Sequence, residues 1–203
     1  MPSWLSASLV FLSAFLFLSW GISDWSLAGP FVDPHGKIPS QDEAVYSHVA
    51  LRMAEHGDWL TPHFLDRFFL TKPPLLYWLS GASAKLFGVS AFSLRLPSLI
   101  AGALGVLIVF LWVREARPWY AALLAAAALL THDLWFRLSR LNLTDALLST
   151  LFLAALWLLP RAPWITGVLC GLALLTKGLA GLMPFIAVCA ILFLRREYRR
   201  LAL

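Results

Sequence analysis

Seven ionisable side chains carry the chemistry this sequence could do. Asp42 and Glu43 stand together, Lys72 precedes Pro73 and Pro74, Arg137, Arg140 and Asp145 share one short stretch, and Lys177 precedes Gly178. A carboxylate can take a proton from a hydroxyl or an amine as general base. Cations can hold a phosphate and stabilise the charge it gains on leaving. The set suits transfer chemistry on a phosphate-linked sugar held by a lipid. Each residue also has a plainer reading. Asp42 and Glu43 serve equally well as first-turn acids that complement a helix dipole. Asp145, just after Asn142-Leu143-Thr144, fits a first-turn acid slightly better than a site. Lys72 and Lys177 fit lysines that snorkel to an interface, and Arg137 and Arg140 fit ordinary flanking charges. His48, His56 and His63 lack ligand spacing, so no metal site is read. The sequon at Asn142 abuts an apolar run and is a chance match.

The elements that must position these residues are membrane helices. Of the 203 residues, 60% are hydrophobic and 13% charged, against roughly half and a quarter in soluble domains. The bilayer is therefore the expected solvent. The net charge of +5 does not point to nucleic acid, because the charges sit at the ends of apolar runs, which is a topology signal. Cys170 and Cys189 lie inside such runs and read as small buried hydrophobes. Residues 1–3 carry no Lys or Arg, so no cleavable signal sequence is expected.

The expected fold is all-α, integral to the membrane, with about six spans at roughly 4–22, 95–113, 119–135, 143–159, 164–176 and 179–194. Residues 23–94 form a large outer loop with two interfacial helices, about 41–56 and 72–87. Ser40 and Glu43 fit a capping box for the first, which stops at Gly57; Thr71 caps the second, which stops at Gly88. Segment 73–87 is too short and polar for a clear span. If it does not cross, Arg114, Arg117, Arg161 and the arginines of 195–200 face the cytoplasm and nine of the eleven acids face out. Both termini are then cytoplasmic. Asp42, Glu43, Lys72, Arg140, Asp145 and Lys177 all collect on the outer face. A transporter is disfavoured, since its ionisable residues would lie near the midplane.

The ordered strings Asp42-Glu43-Ala44-Val45-Tyr46, Gly57-Asp58-Trp59-Leu60-Thr61-Pro62, Lys72-Pro73-Pro74-Leu75-Leu76-Tyr77-Trp78, Arg95-Leu96-Pro97-Ser98, Arg140-Leu141-Asn142-Leu143-Thr144-Asp145 and Thr176-Lys177-Gly178 resemble the bacterial polyprenyl-phosphate-sugar glycosyltransferases of the GT-C superfamily. That family is related to protein O-mannosyltransferases and the lipid A aminoarabinose transferase. The resemblance implies inverting transfer of a sugar from a polyprenyl-phosphate donor to an acceptor outside the inner membrane. It implies Asp42 as general base or acceptor-orienting group with Glu43 as its neighbour, Lys72 near the donor phosphate, and Asp145 as a second outer acid; Arg140 and Lys177 fall in matched strings. It names no resident cofactor, and relatives differ in their use of a divalent metal. Aminoarabinose transferases carry an arginine two residues after the Asp-Glu pair and a glutamate before the lysine. Val45 and Thr71 stand there, so the resemblance does not by itself assign that sugar or that acceptor. The match is to the N-terminal part of such enzymes. A non-catalytic membrane protein that binds polyprenyl lipid is the alternative expectation.

Overall fold

The computed structural model describes residues 3–24, 39–65 and 67–194, and nearly all of its regular structure is helix. α1 (Ser3–Ser19) ends in a 3-10 turn at Ile22–Asp24. α2 (Pro39–His56) and α3 (Leu75–Phe87) flank two-residue strands β1 (His63–Phe64) and β2 (Arg67–Phe68), paired antiparallel. Then come α4 (Ala91–Ala116), α5 (Trp119–Thr131), α6 (Asp133–Ser139), α7 (Thr144–Leu158) and α8 (Pro163–Lys177). A 3-10 turn at Gly178–Leu182 leads into α9 (Met183–Leu194). The tiny ladder had no signature in the sequence. The arginines of 195–200 and the loop of 25–38 lie outside the described residues.

α4 begins four residues ahead of the expected span because Ser90 and Ser93 cap it reciprocally. The Ser90 side chain accepts from the Ser93 amide at 3.1 Å and the Ser93 hydroxyl accepts from the Ser90 amide at 3.0 Å. The helix continues through Pro97. Proline has no N–H for the carbonyl one turn back, and the Ser83 hydroxyl supplies that bond, donating to the Ser93 carbonyl at 2.6 Å. Arg95 therefore sits inside a helix rather than at its edge.

Two runs are long and apolar enough to cross a membrane, Ala91–Ala116 and Pro163–Leu194; the pair Trp119–Thr131 and Asp133–Ser139, bent by 67°, adds a third. Trp4–Ser19 and Thr144–Leu158 are shorter apolar helices. The break at His132 splits the span expected at 119–135. Pro163–Leu194 is not a straight rod. A Cβ on Gly181 would run into the carbonyl of Ala173, yet eight residues of straight helix extend about 12 Å. The chain doubles back through Gly178, whose φ is 55°, so α9 returns along α8. Val188 and Leu192 of α9 share a core with Ala155 of α7 and Cys170 of α8.

A second core joins α1, α4 and α5 through Leu18, Leu99, Val106, Phe110 and Ala126. The third lies at the end where α2, α3 and the α6–α7 connection meet, built on Tyr46, Met53, Leu76, Tyr77, Leu94 and Leu141. Gly81 of α3 makes the α2–α3 crossing close, since a Cβ there would lie 2.7 Å from the Ala50 carbonyl. That crossing holds the candidate site.

Candidate active site

Adjacent acids on α2 face opposite environments. Asp42 is exposed, whereas Glu43 is fully buried. Glu43 meets Arg95 in a two-pronged ion pair, Nε to Oε1 at 2.7 Å and Nη2 to Oε2 at 3.0 Å. Arg95 also donates to the Ile22 carbonyl at 2.8 Å, at the end of α1. The Asn142 amide donates to Glu43 Oε1 at 2.8 Å. Buried charges persist when they are paired and hydrogen-bonded, and this pair has both. Around it, Asn142 Nδ2 donates to Ser47 Oγ at 3.0 Å and the Ser80 hydroxyl donates to Asn142 Oδ1 at 2.8 Å. One network thus ties α1, α2, α3, α4 and the α6–α7 connection. With its amide engaged and fully buried, Asn142 is inaccessible to glycosylation. The Glu43 carboxylate, expected in a capping box with Ser40, is turned to Arg95 and Asn142; the Ser40 side chain lies outside the described residues.

The exposed rim differs. Lys177, at the end of α8, donates to Asp145 Oδ1 at 2.6 Å across 32 residues of sequence. The Tyr46 hydroxyl donates to Asp42 Oδ2 at 3.4 Å. Burial pushes the Tyr46 hydroxyl well above the ordinary phenol range, and the charges of Asp42 and then Asp145 add to it. Tyr46 thus stays a donor, and both acids lie in its surroundings. Its ring packs on Tyr77 with centroids 5.7 Å apart. Tyr77 is fully buried, and its hydroxyl has no hydrogen-bond partner among the described residues. Burial raises its pKa too, ahead of the effects of Tyr46 and Asp42. Lys72 is half-buried. Its neighbour Pro73 comes within 3.7 Å of where a Cβ on Gly178 would stand, so the loops carrying Lys72 and Lys177 abut. Residues 72–74 stand ahead of α3 rather than in its first turn.

Asp42, Lys72, Asp145 and Lys177 therefore share one end of the molecule. Arg140 belongs to the buried side: it donates to the Trp20 carbonyl at 2.6 Å and lies 4.6 Å over the Phe136 ring. Arg137 pairs with Asp133 at 2.7 Å on an exposed face. His48 Nε2 accepts from the Leu65 amide and His63 Nδ1 bonds the Thr61 carbonyl. Among the described residues no three His, Cys, Asp or Glu side chains gather as a metal site. Sequence reasoning missed Arg95 by placing it at the edge of a span. The available signal was the Ser90–Ser93 cap, which puts a charge inside an apolar helix, where charges are costly and have partners.

Comparison with known proteins fits this architecture. Two solved structures of ArnT from Cupriavidus metallidurans share the fold, both at 23% sequence identity. The apo form superposes with a TM-score of 0.80 over 100% of this chain and 39% of its own. The form bound to undecaprenyl phosphate gives 0.79 over 98% and 38%. Undecaprenyl phosphate-alpha-4-amino-4-deoxy-L-arabinose arabinosyl transferase from Pectobacterium atrosepticum is 35% identical over 121 residues, 57% of this chain and 21% of the relative. The enzyme of that name from Pseudomonas aeruginosa is 36% identical over 74 residues, 36% of this chain and 14% of the relative. The chain thus spans about a fifth or less of the length of these curated relatives. The family model for dolichyl-phosphate-mannose-protein mannosyltransferase matches residues 71–203, taking in Lys72, Arg140, Asp145 and Lys177. With more than half of its length matched and a frame of apolar helices, the chain is an integral membrane protein of the dolichyl-phosphate-mannose-protein mannosyltransferase family.

Proposed function

We propose that this chain forms the catalytic N-terminal part of an inner-membrane glycosyltransferase, moving a sugar from a polyprenyl-phosphate donor to an acceptor on the extracytoplasmic face. The observation that carries this is the division of the two acids on α2: Glu43 is locked inside, and Asp42 is exposed at the same end as Asp145 and its partner Lys177, linked to them through Tyr46. In the proposed topology α1, α4, α5, α7, α8 and α9 cross, both termini are cytoplasmic, and α2 and α3 lie at the outer interface. The charges support keeping α3 at the interface: if it crossed, every later loop would invert and Arg114, Arg117 and Arg161 would face out.

Asp42 accepts the proton of the acceptor hydroxyl or amine as that atom attacks the anomeric carbon. The bond from that carbon to the phosphate oxygen breaks, and polyprenyl phosphate leaves with the pair of electrons. Lys72 and Lys177 hold the phosphate and meet its growing charge. Asp145 orients Lys177 through their 2.6 Å contact. Glu43 and Arg140 act as positioning residues, the first through Arg95 and the second through Trp20 and Phe136. The printed names of the relatives point to undecaprenyl phosphate as the donor lipid; the sugar and acceptor stay unassigned. The test is Asp42→Asn in the native-length protein, assayed for transfer from polyprenyl-phosphate sugar in membranes. Transfer should fall about 100-fold or more with insertion and melting temperature retained. Undiminished transfer overturns the assignment.

A further inference from the structure

The opposite end of the helix bundle holds a second feature. α1 and α5 both pack on α4, and between them lies a cavity of about 620 Å³. Small residues, Ala14 and Ala126, leave the room; Leu9, Phe110 and Leu123 make apolar walls. From Val106 to Arg114 the groove follows α4 for about 12 Å, within one leaflet of the ~30 Å core. Arg114 and Trp119 line its far end. Among the described residues the Arg114 guanidinium makes one hydrogen bond, a long 3.4 Å contact to the Arg117 carbonyl. The nearby Arg161 is instead engaged by Glu115. An apolar channel with, among the described residues, a cation lacking a carboxylate partner and an indole at its mouth matches an amphipathic anion with a hydrocarbon chain, and basic sites between helices at the cytoplasmic face bind anionic headgroups.

We infer that this groove binds an anionic phospholipid of the cytoplasmic leaflet, its acyl chain between α1 and α5 and its phosphate on Arg114. The inference uses the topology proposed above but not the transfer reaction. The test is native mass spectrometry of the whole protein, released from neutral detergent with phosphatidylglycerol or phosphatidylcholine added. Phosphatidylglycerol should be retained at least fivefold better. Arg114→Gln should remove that preference, a loss of about fivefold, the size expected for one basic residue at an anionic headgroup. Ala127 is exposed on the lip of the groove, so Ala127→Phe should fold and block the chain of either lipid. Equal retention of the two lipids, or an unchanged preference in Arg114→Gln, overturns the site. Retention in Ala127→Phe means a surface contact only and overturns the seated chain. Arg161→Gln should leave the preference intact; an equal loss there means diffuse charge and also overturns it.

Discussion

Two ion pairs stand close together in this molecule and behave as opposites. Glu43 and Arg95 are each 0% exposed, and three donors answer the Glu43 carboxylate. Lys177 and Asp145 are 26% and 36% exposed and share one contact. A buried pair with its hydrogen-bonding capacity met holds elements in place, whereas a half-exposed pair keeps donors and acceptors open to solvent. The same division separates Asp42 from Glu43, one residue and about 100° of helix apart. On the proposed function, scaffold and chemistry use the same residue types, and burial separates the two sets.

The comparison breaks most severely at Arg95. Arg95→Ala strands a buried carboxylate and should cost about 3–5 kcal/mol, read by thermal unfolding in detergent; a loss under about 1 kcal/mol would mean the network is not a scaffold. Replacing both partners with leucine should cost less than the two single changes added together, and strict additivity would deny their coupling. Gly81→Ala should come next, at about 1–3 kcal/mol, because the added carbon meets Ala50 backbone rather than a yielding side chain. The same melt tests it, and wild-type stability would show that α2 and α3 can part freely.

Lys177→Ala sharpens the other arm. Stability should change by under about 1 kcal/mol, while binding of polyprenyl phosphate weakens measurably by titration. A large stability loss with intact binding would move the pair into the scaffold. The smallest effect concerns Asp58. The Thr61 amide, and after it that of Leu60, holds its carboxyl below the ordinary value of about 3.8. A lowered native value means this turn's stabilisation is complete above the ordinary pKa and is lost as pH falls through the native one. Hydrogen exchange at the Leu60 and Thr61 amides should therefore keep its protection from neutral pH to about 5 and lose it in stronger acid. Protection lost above pH 5 would contradict the sign.

Local signals explain what was legible. Composition named the bilayer as solvent, and the apolar runs at 95–113 and 143–159 lie within or near α4 and α7. Gly57 and Gly88, with φ of 74° and 84°, stand where α2 and α3 end, because glycine accepts that conformation without a Cβ clash. The helix start at Ala91 was overlooked because its cap pairs two serines, a weaker signal than serine with glutamate. The bend at His132 has no proline or glycine to announce it. Asp42, Lys72 and Asp145 were nameable from their strings, but the partnership of Lys177 with Asp145 was not.

By itself, then, the sequence determined the solvent, the helical periodicity, the punctuation of the turns and the collection of ionisable groups at one face. Those depend on residue type and near neighbours along the chain. Tertiary structure decided which acid is buried and which presented, that Arg95 reaches Glu43 across 52 residues, that Asn142 closes the network with its backbone amide, and that α8 and α9 form a hairpin. Such pairings follow from how helices rotate and cross when they pack, and a helix's own period leaves that rotation open.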